Sequence, residues 1–205
     1  MNELKSPKPI SAVLLAAGQS LRMGSRNKLL LPYRNTTIVE VTLSAFLQVN
    51  FSEIMVVLGY EAKALKSVLR RYPVKTVVNE EYRSGMGTSV ATGVAAMTPP
   101  SRGILITPAD LPLLTSETVE ILCQTFHHHQ PPVIVYPTYQ NRQGHPVIFS
   151  AEFRPELQKL SGDRGAKGLI LENRERCIAV EVNSEEILFD LDTMEKYHEL
   201  LRREG

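Results

Sequence analysis

Along this 205-residue chain, continuous apolar runs alternate with apolar residues spaced at the period of a helix. Uninterrupted apolar segments occupy 12–15, 54–58, 76–78, 103–107 and 133–136. They lack polar alternation, as strands of a parallel sheet do, because both of their faces are buried. Between them the period changes. Val39, Leu43, Phe46 and Leu47 fall at i, i+4, i+7 and i+8, one face of a helix. Residues 62–71 predict a second helix closed by Pro73, and 88–97 a third ended by Pro99 and Pro100. Residues 115–129 predict a fourth, with Thr115-Ser116-Glu117 as its N-cap region. Strands alternating with helices of this length predict an α/β fold of three α/β/α layers, with a mostly parallel sheet covered on both faces.

After Pro137 the rhythm changes. Residues 138–144 are polar and turn-rich, and 147–149 predict a short strand. Helices at 153–160 and 167–173 flank a Ser-Gly-Asp-Arg-Gly loop. Residues 177–182 alternate as a half-buried strand does, and Met194, Tyr197, Leu200 and Leu201 mark a closing helix. No repeat, low-complexity tract or linker interrupts the chain, so one domain over 1–205 is expected.

Composition narrows the partners. The net charge of +1 lacks the basic excess of nonspecific nucleic-acid binding. No apolar stretch reaches the ~18 residues of a transmembrane helix. Residues 1–10 lack a leader's apolar core. The two cysteines, Cys123 and Cys177, form no CxxC pair. A reduced, cytoplasmic protein without disulfides is the expectation.

The chemistry concentrates in a few loops. The run ending at Leu15 empties into Ala16-Ala17-Gly18-Gln19-Ser20, followed by Arg22, Gly24 and Lys28. Small residues let backbone N–H groups approach a ligand, and two cations beside them suit a polyphosphate. The spacing is neither a Walker A loop nor a Rossmann fingerprint. An ordinary strand-to-helix turn with solvated cations has the same composition. The run 104–109 delivers Asp110, followed by Leu111-Pro112. A lone carboxylate at the end of a parallel strand either holds Mg²⁺ with substrate phosphates or caps the next turn. Gly85-Met86-Gly87-Thr88-Ser89 offers N–H groups and hydroxyls to a ligand or simply caps a helix. Gly144-His145-Pro146-Val147 precedes a strand, and Ser161-Gly162-Asp163-Arg164-Gly165-Ala166 precedes a helix with Lys167. His145 suits a ligand or a structural role; Arg164 and Lys167 suit a bound phosphate or a solvated helix start. Asp190-Leu191-Asp192-Thr193 precedes the last helix. His127-His128-His129 do not share a helix face and read as a solvated helix end.

Together, LAAGQSLRMG with the following Lys28, the D-x-P of Asp110 and Pro112, the N-x-x-Y-x-x-G-x-x-x-S from Asn79 to Ser89, GHPV, SGDRGA and DLDT resemble the nucleotidyltransferases of GT-A-like fold. Within them, the GHPV and SGDRGA pairing resembles the molybdenum cofactor cytidylyltransferase family, with its xanthine dehydrogenase accessory relatives. The resemblance spans about residues 10–203 and departs at Met194, where proline is common. It implies a Rossmann-like, nucleotide-diphospho-sugar-transferase-like sheet, a nucleotide-binding half over about 10–112 and an acceptor-binding half over about 113–205. It implies that Leu15, Ala16, Ala17, Gly18, Gln19 and Ser20 wrap a nucleoside triphosphate whose phosphates Arg22 and Lys28 neutralise. Asn79, Gly87 and Ser89 would surround the base and ribose, and Gly59 would be a further nucleotide contact. Asp110 would ligate Mg²⁺, with Mn²⁺ as a substitute, and Asp190 or Asp192 would be a second ligand, Asp190 preferred. Gly144, His145, Pro146, Asp163 and Arg164 would hold the acceptor.

The implied reaction moves CMP from CTP to the terminal phosphate of molybdopterin, with Arg22, Lys28 and Asp110 catalytic and Ala17 favouring cytosine. The product would supply a molybdenum hydroxylase such as xanthine dehydrogenase, and the protein would be a monomer. Guanylyl transfer, another cytidylyl transfer, or a cofactor-insertion protein with a vestigial nucleotide site are the alternatives.

Overall fold

The computed structural model describes residues 10–24, 26–98 and 100–203. Residues 1–9, read above for a leader, and Pro99 lie outside the described residues. The chain opens with β1 (Ile10–Ala16), then a small hairpin of β2 (Pro32–Tyr33) and β3 (Thr36–Thr37). There follow α1 (Ile38–Leu47), β4 (Ile54–Leu58), α2 (Ala62–Leu69), β5 (Lys75–Val78), α3 (Met86–Ala96) and β6 (Gly103–Pro108). The second half runs α4 (Ser116–His128), β7 (Ile134–Tyr139), β8 (Arg142–Gln143), β9 (Val147–Ser150), α5 (Arg154–Leu157), α6 (Lys167–Glu172), β10 (Cys177–Glu181) and α7 (Met194–Arg202).

The main sheet has the order β10-β7-β9-β6-β1-β4-β5, with β8 on β7. β1 pairs in parallel with β4 and β6, β4 with β5, and β7 with β10. β9 lies antiparallel between β6 and β7. The expected mostly parallel α/β/α fold is therefore present, interrupted by the reversed β9 and the short β8 before it. The reversal is local in origin: Gln140 and Asn141 both have positive φ, so the chain turns straight back from β7 into β8. So short a connection cannot make a parallel crossover. Arg34 and Asn35 turn the β2–β3 hairpin in the same way. Neither hairpin was predicted, because two-residue strands carry no periodicity; their signal was an asparagine, which tolerates the left-handed region.

Side-chain alternation sorts the core into two layers. Ala12 and Leu14 of β1 face Phe46 of α1, Leu65 of α2, Phe126 of α4 and Leu200 of α7. Val13 faces the other way, with Val90 of α3, Leu157 of α5 and Ile170 of α6. Each of these side chains larger than alanine contributes about 1.5–3 kcal/mol on burial. Of the helix boundaries that differ from expectation, two bear on the cleft. α3 starts at Met86 rather than 88, because Gly85 caps it. The helix expected over 153–160 is a 3-10 turn, Ala151–Phe153, running into the short α5, which ends before the Ser161-Gly162 loop. Cys123 and Cys177 are free thiols, as expected.

One buried polar network ties the first helices together. Glu40 of α1 is buried and accepts hydrogen bonds from Thr36, Thr37 and Tyr72, and it pairs with Arg71. Burial alone would raise its pKa, but these donors outweigh it and bring it from 4.5 down to about 2. A carboxyl lowered on folding stabilises the fold above its unfolded pKa and loses that effect as pH falls towards its folded one. The difference in melting temperature between the wild type and Glu40→Gln is therefore expected to shrink as pH falls from 4.5 to 2. A constant difference across that window would show that the Glu40 charge is not what stabilises.

Candidate active site

The carboxyl ends of β1, β4 and β6 open on one edge of the sheet, the edge where open α/β sheets bind ligands. The loop after β1 coils tightly there. Ser20 adopts the left-handed region, its carbonyl accepts from Met23 N (2.8 Å) and its Oγ from Lys28 N (3.2 Å). Asn27 caps the next turn through Leu29 N and donates to the carbonyl of Tyr60 (3.3 Å) just past β4. These bonds carry the Lys28 side chain back across the end of the sheet.

There it meets Asp110. Ala109 N donates to the carbonyl of Leu15 (3.1 Å), which sets Asp110 beside the end of β1. Asp110 is 6% exposed; one carboxylate oxygen pairs with Lys28 Nζ, and the other, Oδ1, is buried without a partner. A buried carboxylate oxygen left unpaired is costly, so a native site holding one implies a cationic or hydrogen-bonding visitor. The Asp110 carbonyl accepts from Leu191 N (2.9 Å), which brings the segment before α7 over the cleft. On that segment Asp192 pairs with Arg22 (2.6 Å), and Lys196 of α7 bridges Asp190 (3.0 Å) and Asp192 (3.4 Å). Partial burial would raise the Asp190 pKa, but Lys196 outweighs it and holds the carboxyl below its ordinary value.

The third wall is the 3-10 turn Tyr82–Ser84 and the start of α3. Asn79 Nδ2 donates to Thr88 Oγ1 (2.9 Å) and Ser89 Oγ (3.0 Å), which fixes those hydroxyls from behind. Gly87 N donates to the carbonyl of Gly162 (2.8 Å), so α3 is joined to the 161–165 loop.

The walls enclose two adjoining chambers of about 340 and 330 Å³, both within the range of small-molecule sites. They share Leu15, Met86, Pro108 and Asp163. The first is strongly charged, with Arg22, Lys28, Asp110 and Asp192. The second has an apolar floor that includes Val90, Ile106 and Phe149, with Arg164 and Lys167 at its rim and His145 in its wall. His145 Nδ1 is shut off from solvent without a partner. Burial pushes the imidazole pKa down, against the pull of Asp110 and Asp190, so the ring is neutral at pH 7.

Of the residues expected from sequence, Leu15, Ala17, Gly18, Gln19, Ser20, Arg22, Lys28, Ser89 and Asp110 line the first chamber. Gly144, His145, Asp163 and Arg164 line the second. Ala16, Gly59, Asn79, Gly87, Pro146 and Asp190 line neither. Ala16 faces the core, and Gly59 packs under the loop, where a Cβ would lie 2.7 Å from that of Tyr82. Asp190 is turned to Lys196, and Asp192 is the aspartate of that pair on the cleft. Arg83 and Lys196 were not anticipated. Arg83 lines the first chamber from inside the 79–89 stretch already singled out, whereas Lys196 had no local signal.

A divalent ion of the hard class fits the free oxygen of Asp110. Among the described residues no three His, Cys, Asp or Glu side chains converge to hold a metal alone. An ion here would complete its coordination with water and substrate oxygens, as Mg²⁺ with a triphosphate does. Among the described residues no helix is long and apolar enough to cross a membrane.

A charged chamber at the strand ends, opening into a second chamber, is an arrangement that suits group transfer between two bound substrates. Residues 12–177 match the MobA-like NTP transferase domain, and the chain belongs to that family of nucleotidyltransferases. It is 34% identical to nicotine blue oxidoreductase of Paenarthrobacter nicotinovorans, over 94% of this chain and 96% of that protein. It is 30% identical to the purine catabolism protein PucB of Bacillus subtilis, over 98% of each. The crystal structure of Rv0371c from Mycobacterium tuberculosis superposes with a TM-score of 0.81 at 30% identity, covering 96% of this chain and 99% of that one. A second structure of Rv0371c is a complex with manganese (TM-score 0.78, 30% identity, 95% of this chain and 98% of that one).

Proposed function

We propose that this nucleotidyltransferase moves CMP from CTP to the terminal phosphate of molybdopterin, releasing pyrophosphate, and so supplies a cytoplasmic molybdenum hydroxylase. The observation that carries the reading is the pair of joined chambers. One is rich in cations and carries the free oxygen of Asp110; the other is apolar-floored with basic side chains at its rim. The first suits a triphosphate, the second a flat heterocycle carrying a phosphate.

A phosphate monoester is already a nucleophile, so the obstacle is repulsion between two anions rather than activation of an enzyme group. Catalysis by this chain is therefore positioning and charge neutralisation. Arg22 and Lys28 hold the triphosphate oxygens. Arg164 and Lys167 hold the acceptor phosphate in line with the α-phosphate. Neutral His145 hydrogen-bonds the acceptor without adding charge. Asp110, together with phosphate oxygens of the nucleotide, would hold Mg²⁺ or Mn²⁺, which when bound stabilises charge on the departing pyrophosphate. The manganese complex of Rv0371c supports a divalent ion in this fold.

The test is pyrophosphate release with molybdopterin, with and without molybdenum, comparing CTP, GTP and ATP in the presence of Mg²⁺ or Mn²⁺. Release with CTP is expected, and release with GTP alone would overturn the base assignment. Cofactor binding without release from any nucleotide would favour an insertion protein. The name of the 34% identical relative, nicotine blue oxidoreductase, favours a second reading, oxidoreductase activity. Oxidation of NADH or NADPH by a dye acceptor, with no pyrophosphate released, would favour it.

A further inference from the structure

Two cations that face the triphosphate chamber already hold carboxylates: Lys28 holds Asp110 and Arg22 holds Asp192. The second pair has a feature the first lacks. Arg22 Nη1 takes one oxygen of Asp192 (2.6 Å) while Lys196 Nζ lies 3.4 Å from the other. Lys196 also binds the side chain (3.0 Å) and the carbonyl (2.9 Å) of Asp190, yet it lines neither chamber. The Arg22 side chain is 70% exposed and sits between the left-handed Ser20 and Gly24, so little packing holds it on Asp192.

We propose that Asp192 is a stand-in for the triphosphate and that Lys196 is its reserve partner, a three-member relay that sets nucleotide affinity from outside the site. The proposal rests on the nucleotidyltransfer reading. In the empty enzyme Asp192 orders Arg22 over the cleft. When a triphosphate arrives, Arg22 turns to the phosphates and Asp192 stays neutralised by Lys196. Breaking an ion pair is costly mainly when it leaves one charge without compensation, and Lys196 removes that cost. Lys196 thus favours nucleotide binding without touching the nucleotide.

The relay predicts opposite signs for two substitutions next to each other. With CTP in EDTA, so that no metal enters, calorimetry at fixed low ionic strength should find Asp192→Asn binding about 2- to 5-fold tighter than wild type, the span of one partly exposed pair. Lys196→Met should bind weaker by a similar factor, because Asp192 then has only Arg22. Simple charge attraction would give the same signs, so the deciding measurement is a double-mutant cycle. In an Arg22→Met background both effects should disappear. Their persistence at full size would overturn the relay and leave only long-range electrostatics. Melting temperatures of all variants check that α7 is intact, and Lys196→Gln serves as the second variant if Lys196→Met unfolds. CTP binding that Arg22→Met weakens, without coupling to Asp192, overturns the relay alone. Absence of binding of CTP, GTP and ATP in every variant, with or without Mg²⁺, overturns the nucleotide reading and the relay together.

Discussion

Asp110→Asn is expected to lose about 100- to 1,000-fold in nucleotidyl transfer while keeping its fold, the scale of losing one preorganised electrostatic group in an active site. The side chain keeps its shape and loses its charge. Asp110 Oδ1 is buried and unpartnered, so its value to the native state lies in what it receives from outside. Its main-chain bond with Leu191 does not depend on the side chain, and the segment carrying Asp192 should stay in place. Lys28 is freed from its resting carboxylate in this variant. Metal-free nucleotide should therefore bind Asp110→Asn at least as well as wild type, while the divalent ion needed for half-maximal rate rises. Steady-state rates across a metal titration, beside a melting curve, check this. Near-normal turnover at ordinary Mg²⁺ would remove Asp110 from the metal site.

Gly85→Ala is expected to be the most damaging single methyl group near the cleft. Gly85 has φ of +109°, a backbone region that side chains rarely adopt, and it is buried at the head of α3. A Cβ there would lie 2.3 Å from the carbonyl carbon of Gly162 and 2.7 Å from Asp163 N. Both obstacles are backbone, so no rotamer change relieves them. Strain of about 1–3 kcal/mol and a similar overpacking cost add to roughly 2–6 kcal/mol. For a domain of this size each kcal/mol is worth about 2–4 °C, so melting about 10 °C lower is the expected result. The same contact joins the nucleotide wall to the loop carrying Asp163 and Arg164. If that loop moves aside, the melting temperature holds and the KM for the acceptor rises instead. A variant unchanged in both would show that the close approach has no energetic role.

Much of the fold was legible because its signals are local. The run from Ala12 to Leu15 is apolar at every position since both faces of β1 are covered, and this holds whatever the loops do. Ala17 to Lys28 and Asp110 could be singled out because small and charged residues there directly follow apolar strands. The hairpins at Arg34-Asn35 and Gln140-Asn141 were missed because two residues cannot show a period. Gly87 looked like a loop glycine and is a helical one, packed on Ser161 through a contact that no local pattern encodes.

The order of apolar and polar residues by itself determined the layers, the strands of the first half and the cations of the first loop. Burial on two faces and on one leave different periodicities in the chain, and the first loop is made from neighbours in sequence. Only the tertiary structure decided which charges meet. Arg22 and Asp192 are 170 residues apart, and Lys28 and Asp110 are 82 apart. A reversed β9 brings His145 to the cleft, and the segment before α7 closes over Asp110 through one main-chain bond. Such pairings depend on where the sheet delivers the ends of distant strands, and an ion pair leaves no period in the sequence to betray its partner.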